Sequence, residues 1–365
     1  MNKKILFILH LPQPVHGSSL VGKSIKESNI INQSIDGKFI NLTTSRTIDE
    51  IGKNPIFKII RYFKILFKVI IYLIMYNPKV VYLAIAAKGV AFYKDFTIAL
   101  VAKLFGKSLV LHYHPKGVSE RQNMFFDNLL YKVLFKNTKV ILLSESLYFD
   151  VKKYVSLKNI FYCANGISVS EFSKNHVKKV NKIPQLLFLS NLIETKGVYV
   201  LLDALKLLKD QGLLFHCNFV GGEADINSEQ FNNKLKKLKI IDCVSYLGKK
   251  YGKEKYEIFN SSDIFVFPTF YHNETFPLVT LEAMMSSLPI ISTSEGAIAD
   301  IVTNNETGFI VERENPEVLA HKIKFLIENP VISKKMGERG RAKFYEFYTI
   351  EVFEKKLLKI LNSLN

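Results

Sequence analysis

Asp263-Ile-Phe-Val-Phe-Pro268-Thr-Phe-Tyr-His-Asn-Glu274-Thr-Phe-Pro277-Leu-Val-Thr-Leu-Glu282-Ala-Met-Met285 reads as a strand, a loop and a helix. The run 264–268 is continuously apolar, as in a parallel strand covered on both faces. Pro277 suits the first turn of a helix, where its missing N–H is no loss. From Leu278 onward a 3.6-residue period puts Leu281, Glu282 and Met285 on the same side as Leu278. That predicts Glu282 on the buried face. A carboxylate there is costly unless something satisfies it. Two readings stay open: a structural ion pair or solvent-filled edge, or a carboxylate that receives sugar hydroxyls at a strand's carboxyl end. Glu274, in the loop, is placed to reach the same strand ends.

The alternation continues in both directions. Strands are expected at 5–10, 80–84, 108–112, 140–143 and 159–163 in the first half. In the second half they are expected at 185–189, 215–220, 244–247, 264–268, 290–293 and 309–311. Helical patterns fall between them, at 57–75, 91–105 and 122–136, then at 197–210, 253–260, 278–286, 316–328 and 332–346. Apolar strands alternating with helices mean an α/β protein with parallel sheets. The 365 residues are comfortable for two domains of about 180 residues each. We expect two doubly wound, Rossmann-like domains, residues 1–170 and 185–348, joined by a polar linker at 171–184. A final helix, 349–365, is free to cross back to the first domain. Ligands of such folds sit at the carboxyl ends of the strands, so two facing sheets would make a central cleft.

Composition narrows the function. Apolar residues are 48% and charged residues 23% of the chain, as in a folded globular protein. Three scattered cysteines, Cys163, Cys217 and Cys243, do not make a disulfide framework or a zinc site, and they point to a reducing compartment. Residues 1–180 hold 27 Lys and Arg against 10 Asp and Glu, whereas residues 181–365 hold 23 of each. The net charge of +17 therefore lies wholly in the first half. Such a field suits an anionic partner: nucleic acid, an acidic membrane surface or a phosphorylated substrate. Only 6 of the 50 cations are Arg, which weighs against a sequence-reading DNA binder.

The start, residues 1–10, has an apolar core too short for a signal peptide and reads as a buried strand. Residues 57–76 are the most apolar stretch, but Lys58, Arg61, Lys64 and Lys68 interrupt it at helical spacing. That pattern fits a basic amphipathic helix lying in a membrane interface. It equally fits a domain helix with its charged face in water. Gly17-Ser-Ser-Leu-Val-Gly22-Lys23-Ser24 satisfies the phosphate-loop pattern G-x-x-x-x-G-K-S. Residues 11–15 separate it from the strand, however, and Leu20 and Val21 stand where a phosphate cradle wants small residues. No strand ends in an Asp for Mg²⁺. Gly17 is expected instead to open a helix whose N-terminus offers a general anion or sugar site.

Several segments together resemble a known family. Glu274 and Glu282, seven residues between them and Phe276-Pro277 inside, resemble the E-x₇-E motif of retaining glycosyltransferases of the GT-B fold, family 4. Ser190-Asn191-Leu192-Ile-Glu-Thr-Lys196-Gly197-Val198 resembles the family's G-R-L-x-x-x-K-G-[VI]. Val220-Gly221-Gly222-Glu223 resembles its V-G-x-G loop. Gly296-Ala-Ile-Ala-Asp300 with Thr307-Gly308 resembles G-G-x-x-E…T-G, and Asn165-Gly166-Ile167 resembles the N-G-[VI] that closes the first domain. Leu111-His-Tyr-His114 resembles a strand ending in an active-site His, and Pro12 with His16-Gly17 resembles the N-terminal glycine loop.

The resemblance implies a role for each residue. Glu282 would bind the donor ribose, Glu274 the transferred sugar, and Lys196 the departing diphosphate. Backbone N–H groups around Thr275, Phe276 and Pro277, with Asn191, Gly221 and Gly222, would complete the donor site. His114, His16 and Gly17 would line the sugar and acceptor side. The family retains anomeric configuration and needs no bound metal, and this chain has no D-x-D. His112 and His114 share one side of a strand, but no Cys or carboxylate beside them suggests a metal. His272 reads as an exposed loop residue. Four positions depart from the pattern: Asn191 stands for the diphosphate Arg, Thr275 and Ala297 for glycines, and Asp300 for a glutamate.

The expected protein is a cytoplasmic glycosyltransferase, peripheral on the inner face of the cell membrane and part of surface-polysaccharide synthesis. It would take a UDP- or GDP-sugar as donor and a glycan or polyprenyl-diphosphate-linked acceptor. An anionic membrane surface would be its partner, and nucleic acid would not. The alternatives are a non-catalytic GT-B subunit and a P-loop NTPase using Gly17–Ser24.

Overall fold

Among the described residues, short apolar runs form twelve strands, all in parallel pairing. A computed structural model describes residues 2–13, 17–43, 55–169 and 181–364. The chain divides into two units, Met1–Gly166 with Ile350–Asn365, and Ile167–Thr349.

The first unit holds β1 (Lys3–Leu9), β2 (Ile35–Asn41), β3 (Val80–Ile85), β4 (Ser108–Tyr113), β5 (Lys139–Leu142) and β6 (Ile160–Tyr162). They form one sheet in the order β2-β1-β3-β4-β5-β6. β3 is buried along its whole length because it lies inside the sheet and both its faces are covered. On one face Leu83 and Leu111 pack with Phe92 and Tyr131. On the other, Phe7, Tyr82 and Ile141 meet Phe353 and Leu357 of the helix Ile350–Ser363. Lys3 Nζ donates to the Leu361 carbonyl at 3.1 Å, which ties that helix to β1.

One strand was absent from the sequence expectation. β2, Ile-Asp-Gly-Lys-Phe-Ile-Asn, is an edge strand with several partly exposed side chains, so it lacks the apolar run of its neighbours. The helix Ser228–Leu238 was missed for a related reason. It buries only Phe231 and Leu235, and a capping box between Asn227 and Gln230 marks its start.

The second unit holds β7 (Gln185–Leu189), β8 (His216–Val220), β9 (Val244–Tyr246), β10 (Ile264–Phe267), β11 (Ile290–Ser292) and β12 (Gly308–Ile310). Their order is β12-β11-β10-β7-β8-β9. The chain winds outward from β7 to β9, then crosses to β10 on the other side of β7. Loops leaving β7 and β10 therefore turn to opposite faces. The crevice between them is the topological switch point, where open α/β sheets bind ligands.

Candidate functional site

Two loops meet at that switch point. After β7 the chain makes a short 3₁₀ turn, Glu194–Lys196, and enters the helix Val198–Asp210 through Gly197. Gly197 has φ +87°, and a Cβ there would come within 2.2 Å of the Pro268 carbonyl oxygen. Only glycine lets the post-β7 turn approach the end of β10 this closely. Phe270 N–H then donates to the Thr195 carbonyl at 2.8 Å. This approach carries Lys196 to Glu274: Nζ donates to Oε2 at 2.6 Å. Their side chains are 13% and 10% exposed. The Tyr271 ring lies under the ammonium, 4.3 Å from Nζ to the ring centroid. The Glu274 loop is fixed from within by Glu274 N–H on the Tyr271 carbonyl. It is fixed from β11's loop by Ala297 N–H on the Thr275 carbonyl, each at 2.7 Å.

Glu282 differs from expectation. The helix Leu278–Met285 buries Thr280, Leu281, Ala283, Met284 and Met285, whereas Leu278, Val279 and Glu282 share its half-open side. A helix buried nearly all round has no single inward face, so helical spacing alone placed Glu282 too deep. Lys255, from the helix Gly252–Ser261, donates to Glu282 Oε1. The structural ion pair left open by the sequence is therefore present.

The remaining second-unit residues fall around these loops. Asn191 is exposed, and its Oδ1 accepts the Gly222 N–H at 3.1 Å. The side chain thus clamps the loop after β8 to the loop after β7. Gly221 and Gly222 lie at that junction. Thr275, Phe276 and Pro277 are buried, with Phe276 edge-on to Tyr348 at 6.2 Å between ring centroids. His272 is exposed. Lys255 and Tyr271 went unnoticed in the sequence, because a Lys in a polar helix and a Tyr in a loop carry no periodic signal.

In the first unit the phosphate-loop match is a helix, Gly17–Glu27. A Cβ on Gly22 would fall 2.1 Å from the His10 carbonyl oxygen, so Gly22 serves close packing on the end of β1. Lys23 extends along the exposed surface, 3.9 Å from Glu27. A helix interior spends its amides on itself and cannot cradle phosphates. Gly17 is exposed at the helix start, and His16 lies outside the described residues. His114 is half-buried just past β4, its ring centroid 4.3 Å from that of His112. His112 is fully buried, with the Tyr82 hydroxyl at its Nδ1, and burial holds its pKa well below the usual histidine range. Among the described residues no three His, Cys, Asp or Glu side chains gather as a metal set.

The basic amphipathic stretch has an unexpected outer face. Tyr62, Leu66, Val69 and Leu73 turn into the core. The helix Pro55–Ile71 and the π-turn Tyr72–Tyr76 expose Ile60, Phe63, Phe67, Ile71, Ile74 and Met75, with Lys64 and Lys68 beside them. Phe67 is 66% and Met75 81% exposed. Across the neighbouring helix Gly89–Leu104, the helix Phe125–Phe135 adds exposed Phe125 and Phe126. The outward face thus mixes apolar side chains with the cations Lys64 and Lys68. Among the described residues no helix is long and apolar enough to cross a membrane.

Comparison with known proteins agrees with this second unit. The family described as glycosyl transferases group 1 matches residues 169–343. Those residues are a glycosyl transferases group 1 domain. A capsular polysaccharide biosynthesis glycosyltransferase, CapM of Staphylococcus aureus, is 26% identical over 63% of this chain and 63% of its own length. A putative colanic acid biosynthesis glycosyltransferase, WcaL of Escherichia coli K12, is 23% identical over 54% of this chain and 50% of its own. The chain thus matches between half and two-thirds of these relatives' lengths. Among solved structures, Anabaena HepE in complex with UDP superposes with TM-score 0.75 at 16% identity, covering 99% of this chain and 100% of that one. The lipopolysaccharide outer core galactosyltransferase WaaB gives 0.73 at 15%, with the same coverage. The glycosyl transferases group 1 domain and the sheet of Met1–Gly166 together make a GT-B fold.

Proposed function

We propose that the protein is a retaining glycosyltransferase of bacterial surface-polysaccharide synthesis, using a nucleotide sugar as donor and a lipid-linked glycan as acceptor. One observation carries this reading: the buried Lys196–Glu274 pair stands at the carboxyl ends of β7 and β10. A nucleotide sugar breaks at the bond between its anomeric carbon and a diphosphate oxygen. Charge grows on the diphosphate and an oxocarbenium-like centre forms on the sugar. In this reading Lys196 meets the first and Glu274 the sugar beside the second. The start of the helix Leu278–Met285 adds its partial positive charge to the leaving group. Glu282 takes the ribose through the carboxylate oxygen not held by Lys255. Asn191, Gly221, Gly222, Thr275, Phe276 and Pro277 shape the donor pocket. His114, Gly17 and His16 belong to the acceptor side, and no metal takes part.

The names of CapM and WcaL support the surface-polysaccharide assignment. The apolar outer face of Pro55–Ile71, with Lys64 and Lys68 beside it and a net positive first half, supports peripheral docking on the anionic inner face of the cell membrane. A lipid-diphosphate acceptor accounts for both features at once. The test is transfer of labelled sugar from UDP-, GDP- and ADP-sugars to bacterial lipid extract. Donor-specific label in the organic phase, lost in Glu274→Gln, is expected. Donor binding without transfer to any acceptor would instead make the chain a non-catalytic subunit.

A further inference from the structure

We propose that Lys249 is a diphosphate-binding cation of the donor site, acting across the loop that Asn191 clamps. The inference rests on the nucleotide-sugar reading above and adds a residue to it.

The charge at the switch point motivates it. Lys196 is matched one for one by Glu274 at 2.6 Å, so the pair presents no net charge to an arriving diphosphate. Asn191, at the end of β7, is neutral and spends its side-chain oxygen on the Gly222 N–H. A nucleoside diphosphate nevertheless needs positive charge close by, or the pocket repels it.

Lys249 is brought there by the backbone. Gly221 N–H donates to the Gly248 carbonyl at 2.9 Å, and the Tyr246 hydroxyl donates to the Gly221 carbonyl at 2.9 Å. The chain leaving β9 is thereby fastened to the loop leaving β8. From Gly248 the Lys249 side chain folds back over Gly222. A Cβ on Gly222 would lie 2.2 Å from Lys249 Cε and 3.2 Å from Asn191 Oδ1. The ammonium-bearing carbon and the Asn191 amide therefore flank the same backbone atom. The nearby lysines are committed: Lys250 to Glu254 at 3.0 Å, Lys255 to Glu282. No carboxylate among the described residues forms an ion pair with Lys249. It is exposed, so its charge is available to a ligand at no structural cost. Lys is a flexible point charge, which suits reaching across from a neighbouring strand.

Calorimetric titration of UDP, GDP and ADP, and of their monophosphates, tests this on wild type, Lys249→Gln and Lys249→Gln/Asn191→Arg. We expect one diphosphate to bind wild type and to bind Lys249→Gln 10- to 30-fold more weakly. The matching monophosphate should change less than threefold, and the thermal midpoint should not move. Asn191→Arg, which returns a cation to the same spot, should restore most of the loss. Unchanged diphosphate affinity in Lys249→Gln overturns the proposal. So does equal weakening of both nucleotides, which would place Lys249 at the base. If wild type binds none of the diphosphates, the nucleotide-sugar reading itself falls, and this proposal with it.

Discussion

Lys196 and Glu274 lie 78 residues apart in the chain and 2.6 Å apart in space. They come from loops that leave neighbouring strands toward opposite faces, and both are about nine-tenths buried. Desolvating two charges makes such a pair weak as a stabiliser, while breaking it from one side costs about 3–5 kcal/mol. Lys196→Ala should therefore destabilise the chain by that amount in urea. The double change Lys196→Ala/Glu274→Ala should be milder than Lys196→Ala alone. Additive losses would show that the two do not share a buried interaction.

Gly197 is where the fold makes that meeting possible. Its φ of +87° costs another residue strain, and the Pro268 carbonyl cannot yield like a flexible side chain. Gly197→Ala is expected to cost about 3 kcal/mol or more and to abolish donor binding. Gly212 has a similar φ of +75° with nothing within 4 Å of its would-be Cβ. Gly212→Ala should cost only about 1 kcal/mol. Equal costs would mean that the approach to Pro268 is not tight.

The first unit carries a pH signature. Asp95, in the helix Gly89–Leu104, accepts the Ala86 N–H at 2.9 Å, which anchors the turn after β3. Burial pushes its carboxyl pKa up to about 7. The folded state thus holds a proton that the unfolded chain releases near pH 4. Asp95 favours folding fully below about pH 4, and this contribution declines as pH rises to about 7, by up to about 1.4 kcal/mol per pH unit. Asp95→Asn should flatten stability between pH 4 and 7, read by urea denaturation across that range. A slope that persists in the variant would assign it to another group.

The apolar outer face predicts a split in membrane binding. Phe63→Ser/Phe67→Ser should weaken flotation with anionic vesicles at both low and high salt, since burying an aromatic ring is worth about 2 kcal/mol. Lys64→Glu/Lys68→Glu should weaken it mainly at low salt, where each cation is worth about 1 kcal/mol. Flotation unchanged in both variants would leave the face without a membrane role.

Much of this architecture was legible in the residues. Strands such as 185–189 were readable to the residue because buried parallel strands are unbroken apolar runs. β2 was not, because an edge strand tolerates Asp36 and Lys38. The Lys196 and Glu274 segments were visible as patterns, but their contact depends on strand order and on Gly197, neither of which has a local signature. Glu282 was placed too deep because periodicity assigns a face only to a helix with one polar side. The phosphate-loop match failed because it lies in a helix, where Gly22 answers to close packing on the His10 carbonyl.

The most direct measurement is a thermal-shift panel of UDP-, GDP- and ADP-sugars, the free diphosphates and ATP–Mg²⁺, on wild type and Glu274→Gln. At a hundred times its Kd a ligand stabilises by about 2.7 kcal/mol, a readable shift. The account predicts that one nucleotide sugar stabilises wild type, and that Glu274→Gln loses much of this while keeping the shift from the free diphosphate. Stabilisation by ATP–Mg²⁺ alone, abolished by Lys23→Ala, would contradict it.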